Sequence, residues 1–140
     1  MSLFRRRKIE SPRNPLGLAL FKYDNILKKD LKRILGPIDA KKKLNAGKAG
    51  LIVENVSSEF DDILEDLPRD KLKVDYRSDK IRYMIIDMIN ELKNVLKEAK
   101  IHDFDLSGID KINWLPRIAE IKEMRNVIKR KMKDIESDYL

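Results

Sequence analysis

Apolar residues recur three and four positions apart over most of the chain, and polar residues fill the intervals, which is the signature of amphipathic helices. Leu20, Ile26, Leu27, Leu31 and Ile34, with Leu16, Phe21 and Leu35 beside them, predict a helix over residues 16–35. Gly36-Pro37 is expected to end it, glycine by taking a left-handed cap and proline by refusing to continue. A short helix over 38–46 could follow, with Asp39 as its N-cap, before Gly47 and Gly50 loosen the backbone. Leu51-Ile52-Val53 alone would suit a strand, but Val53, Val56, Phe60, Ile63, Leu64 and Leu67 continue with helical period, so a helix from about 50 to 67 is expected, followed by Pro68. Residues 68–77 read as a connection in which Leu72, Val74 and Tyr76 alternate.

Residues 80–100 carry the widest apolar pattern. Ile81, Ile85, Met88, Leu92, Val95 and Ala99 form one stripe, and Met84, Ile86, Ile89 and Leu96 extend it around the helix. A helix apolar over so much of its circumference belongs in the centre, packed on two sides. Ser78 or Asp79 is the expected cap. A loop with a short helical turn follows over 101–115. Pro116 then suits a first helical position, opening a last helix to about residue 137. That helix has Ile118, Ile121, Ile128, Met132 and Ile135 on one face, with Met124 alongside. Arg125 interrupts the stripe, its stem expected to snorkel. These elements describe an all-α protein: a helical bundle of four main helices plus one or two short ones over residues 16–140. Residues 1–15, with Pro12 and Pro15 and no hydrophobic period, read as a basic extended N-terminal arm.

At 140 residues the chain is one domain by length and can bury a core without staples. It has no Cys, which excludes disulfides and thiol chemistry, and a single His, which excludes His clusters within one chain. No apolar run approaches the ~20 residues that span a bilayer. The basic start lacks the apolar core of a signal peptide, so a cytoplasmic location is expected.

Charge changes the picture more. Net charge is +7, unevenly spread. Residues 1–48 hold 14 Lys/Arg against 4 Asp/Glu, whereas residues 49–70 hold 1 against 7. Arg5, Arg6, Arg7, Lys8 and Arg13 in the arm, with Lys41, Lys42, Lys43 and Lys48, are therefore the candidate contacts to nucleic-acid phosphates. Guanidinium and ammonium groups grip the backbone without reading sequence, and such binding is salt-sensitive. Aromatics near the arm are few, which argues against a base-stacking platform. Glu54, Glu59, Asp61, Asp62, Glu65 and Asp66 form an acidic face suited to protein contact, where the arm of another copy or a different basic partner could dock. Head-to-tail docking of copies would build a homo-oligomer or larger assembly.

No catalytic arrangement stands out, and a non-enzymatic role without cofactor or metal is expected. Around Gly47-Lys48-Ala49-Gly50 the Walker spacing fails, since position 42 is Lys and position 49 is Ala. A helix-turn-helix over 38–56 would turn Glu54, and later Glu59, Asp61 and Asp62, toward phosphates. Residues 103–108 resemble the first half of an EF-hand calcium loop in Asp103, Asp105, Ser107 and Gly108, but Asp110 and Trp114 depart from its second half. A turn with Phe104 and Leu106 directed into the core is the preferred reading. His102 is expected to cap a helix end rather than act as a base. Two functions remain: nucleic-acid binding through the basic N-terminal third, or a helical adaptor subunit whose arm docks on an acidic partner surface.

Overall fold

The computed structural model describes residues 15–67 and 76–138 and is an all-α bundle. Among the described residues every regular element is helical. The first rod runs as α1 (Pro15–Ile26), a π-helical turn (Leu27–Leu31) and α2 (Lys32–Asp39). It is followed by α3 (Ala46–Glu65), α4 (Tyr76–Ile101), the short α5 (Leu106–Lys111) and α6 (Trp114–Asp138). Counting the first rod as one, the described residues hold four main helices and one short one, within the expected four plus one or two short ones.

α4 is the central helix, packed between α6 and α3. Ile81, Ile85, Met88, Ile89, Leu92, Val95, Leu96 and Ala99 are all buried. α3 contributes Val53, Val56, Phe60 and Ile63, and α6 contributes Trp114, Ile118, Ile121, Ile128 and Met132. Tyr23 of α1 stacks on Phe60 of α3 with ring centroids 5.8 Å apart.

The first rod departs from its expected pattern. Phe21 is exposed and Tyr23 is buried instead. Core positions run Leu16, Ala19, Leu20, Tyr23 and Ile26, then jump five residues to Leu31, Ile34 and Ile38. The π-helical turn supplies the extra residue, because its hydrogen bonds close wider rings than an α-turn. Leu31 is thereby fully buried, and Asp30 is left in the seam facing α3.

Helix ends also differ from expectation. Gly36-Pro37 does not stop the rod, which continues to Asp39. The left-handed residue is Lys41, with φ 55°, and two bonds close the end: Lys41 N–H to the Ile38 carbonyl at 3.0 Å and Lys42 N–H to the Pro37 carbonyl at 2.8 Å. This is a Schellman cap with lysine where glycine is usual. Residues 40–45 are accordingly a turn, not the expected short helix. α3 starts four residues earlier than expected because Asn45 caps it, its side-chain oxygen accepting from Lys48 N–H at 3.0 Å. Pro116 is the third residue of α6, still among the first-turn positions whose N–H groups lack a helical partner.

Residues 103–105 form the expected turn and 106–108 already belong to α5; the Leu106 side chain lies outside what is described. His102 follows the last residue of α4, and Asp103 and Phe104 both take positive φ. Phe104 is buried, and Ser107 donates to the Asp105 carboxylate at 2.6 Å. Gly108 sits inside α5, where a Cβ would fall 2.5 Å from the His102 Cβ. Its small size, not a cation turn, explains the glycine: it lets α5 close against the end of α4.

Candidate nucleic-acid interface

The turn between α2 and α3 gathers the basic candidates. The Schellman cap presents Lys41 and Lys42, Lys43 follows, and all three are exposed. Leu44 packs half-buried against the core and anchors the turn. Lys48 lies one turn into α3, exposed, beside Gly47. Asn45 occupies one of the first-turn donors of α3. The remaining amides, and the positive end of a 20-residue helix, lie at the same corner as the lysines. Arg5, Arg6, Arg7, Lys8 and Arg13 lie outside the described residues.

The four lysines are clustered in a stretch, residues 40–53, that holds no acidic residue. Lys41, Lys42, Lys43, Lys48 and the nearby Arg33 have no ion-pair partner among the described residues. Several cations away from the corner are engaged in tying helices together. Arg125 forks onto Asp24, Nε to Oδ1 at 3.1 Å and Nη2 to Oδ2 at 2.6 Å, tying α6 to α1. Arg117 joins α6 to Glu98 at 2.7 Å and Glu91 at 3.3 Å. Buried Arg82 donates to Asp79 at 3.0 Å and to the Leu67 carbonyl at 3.2 Å, tying α4 to the end of α3. The Arg125 that breaks the apolar stripe is thus a structural cation that ties α6 to α1.

Three of the six acidic candidates on and just after α3 pair with lysines of the same chain. Glu54 pairs with Lys100 at 3.2 Å, Asp61 with Lys93, and Asp66 with Lys22 at 3.7 Å. Glu59 faces Asp30 across the seam made by the π-helical turn. Desolvation there, and then the hydrogen bond shared with Asp30, push the Glu59 carboxyl above its usual value. Asp62 and Glu65 are exposed. Glu54, Asp61 and Asp66 therefore border the joints of α3 with α4 and α1 and hold lysines across them.

Two clefts flank the basic corner. One of about 520 Å³ lies between α2 and α3, lined by Leu44, Leu51 and Ile52 with Arg33 and Lys48 at its edge. The other, about 500 Å³, shares Leu44 and Asn45 with it and is bordered by Lys43, Asp103, Phe104 and Asp105. Leu51 is 63% exposed. Sequence reasoning placed Lys48 here but passed over Arg33 and Leu51. The signal for Leu51 was an apolar residue off the buried stripe of α3, three residues from Lys48; Arg33, with Asp30 three residues before it, had none.

No protein-family model, curated protein or solved structure matches the chain. Among the described residues, no helix is long and apolar enough to cross a membrane, and no group of three or more acidic or His side chains is placed to hold a metal ion.

Proposed function

We propose that this protein is a non-enzymatic nucleic-acid-binding protein that grips the phosphate backbone through its basic N-terminal third. The observation carrying this reading is the unneutralised corner. Lys41, Lys42, Lys43 and Lys48 surround the positive end of α3 without ion-pair partners among the described residues, and no acidic residue lies along the chain between Asp39 and Glu54. Phosphate oxygens are the ligands such a surface attracts, from either DNA or RNA, and binding releases counterions. The arm, with Arg5, Arg6, Arg7, Lys8 and Arg13, supplies five further cations to the same basic third. The test is binding to single- and double-stranded oligonucleotides over a salt series, with and without residues 1–15. Binding that weakens steeply with salt and falls on arm removal supports the reading. Binding insensitive to salt, or unchanged without the arm, refutes it.

The adaptor reading has less support. Both faces of the widely apolar α4 are covered by α3 and α6 of the same chain, which leaves none of its buried stripe for a partner. Three of the six acids suggested for docking already hold lysines of their own chain. What still favours a protein partner is the exposed aliphatic surface around Leu51.

A further inference from the structure

We propose that the cleft between α2 and α3 is a docking groove for an acidic amphipathic helix of a partner protein. This goes beyond nucleic-acid binding and does not depend on it.

The lining argues for a protein segment. Leu44, Ala49, Leu51 and Ile52 make an aliphatic floor, and Leu51 is left 63% exposed. A sugar-phosphate backbone has little apolar surface to bury against such a floor, and the cleft has no aromatic ring on which a base could stack. A cleft of about 520 Å³ accepts a few aliphatic side chains. An amphipathic helix delivers these from one face at i, i+3 or i+4, and i+7.

The rim argues for acidic flanks. Arg33 and Lys48 edge the cleft, and neither has an ion-pair partner among the described residues. The positive end of α3 adds to the same potential. Both charges are solvated in the free protein, so carboxylates arriving beside the buried aliphatic anchors gain opposite charge at a partly dehydrated edge. The adjoining cleft breaks the symmetry. Asp103 and Asp105 border it, so the acidic flank must sit over Arg33 and Lys48, away from the turn after α4. Basic or neutral amphipathic helices are disfavoured by the same rim, which gives the groove a charge preference as well as an apolar one.

The test uses the full chain. A display library of short amphipathic helices, with fixed aliphatic anchors and flanks randomised among Glu, Lys, Gln and Ala, is selected on the wild-type protein. The winning peptide is then measured by fluorescence anisotropy. Glu should dominate the flanks. Leu51→Ser, an exposed substitution whose folding is checked by circular dichroism, should weaken the winner by about tenfold. The pair Arg33→Glu and Lys48→Glu should weaken it further, and exchanging the peptide's Glu for Lys should restore binding to that charge-reversed protein. Oligonucleotide binding should be unchanged by Leu51→Ser, which separates this groove from the phosphate-binding reading. The proposal is overturned if no sequence is enriched over the Leu51→Ser protein or if Lys-flanked sequences win. It is equally overturned if charge exchange fails to rescue, or if oligonucleotide binding is lost with Leu51→Ser.

Discussion

Replacing Gly108 with alanine sets two opposed effects against each other. Gly108 is helical, and alanine in a helix interior is favoured over glycine by up to about 1 kcal/mol. The new Cβ, however, would lie 2.5 Å from the His102 Cβ and 3.0 Å from its Cγ. Carbon atoms pack best at about 3.5–4.0 Å, so the overlap is about 1 Å. The clashing atom is a Cβ at the end of α4, not the far end of a flexible side chain, so backbone must move. Overpacking of this kind costs about 1–3 kcal/mol. In a helix as short as α5 the propensity gain is only partly realised, leaving a net loss of about 1–2 kcal/mol, or a Tm lower by about 3–7 °C for a chain of this size. Urea unfolding of four proteins measures it: wild type, Gly108→Ala, His102→Gly and the double variant. The clash predicts that alanine is harmful beside His102 and harmless or stabilising beside Gly at 102. A stabilised Gly108→Ala protein, or an equal cost in both backgrounds, would refute the close approach of α5 to α4.

Three further outcomes are expected. Asp24 and Arg125, held by two bonds and each about a quarter exposed, should show a coupling of about 1–2 kcal/mol in a double-mutant cycle, with Arg125→Ala alone costing about 2 kcal/mol; an additive cycle would mean the fork is not formed. Asn45→Ala removes the cap of α3 and should cost about 1 kcal/mol by thermal melting, whereas Asn45→Ser should cost much less. Glu59 has a raised folded-state pKa, so the native state binds its proton more tightly than the unfolded chain. Its contribution to stability is therefore full below the unfolded carboxylate pKa and lost as pH rises through the folded value. Glu59→Gln should thus raise Tm at pH 7 and lose that advantage below pH 4; a variant less stable at pH 7 would contradict the Asp30–Glu59 contact.

Much of the bundle was legible because burial follows period. The stripe of α4 from Ile81 to Ala99, and Val53, Val56 and Phe60 of α3, are core residues as their spacing predicts. What was not legible depends on one-residue events with no strong local signal. In the first rod Tyr23 enters the core and Phe21 leaves it, and the π-helical turn sets the expected core residue Leu31 five positions after Ile26. Lysine in a left-handed cap at position 41 replaces the stop expected at Gly36-Pro37. Gly108 looked like half of a cation loop because sequence cannot show that His102 lies against it. At the candidate site, the clustering of Lys41, Lys42, Lys43 and Lys48 was visible along the chain. Sequence could not tell which cations are consumed by structure: Arg125 lies on an apolar stripe and meets Asp24 from 101 residues away.

Salt dependence of oligonucleotide binding tests the central claim most directly. Lys41, Lys42, Lys43 and Lys48 are exposed and unpaired among the described residues, so changing all four to Gln should leave the fold and its melting temperature intact. If each contacts a phosphate, the slope of log K against log salt concentration should become shallower by about 3, from ~0.7–0.9 per contact. Binding to different sequences should weaken together. A quadruple variant with the wild-type slope and affinity would contradict the account, as would a wild-type protein that binds no oligonucleotide at low salt.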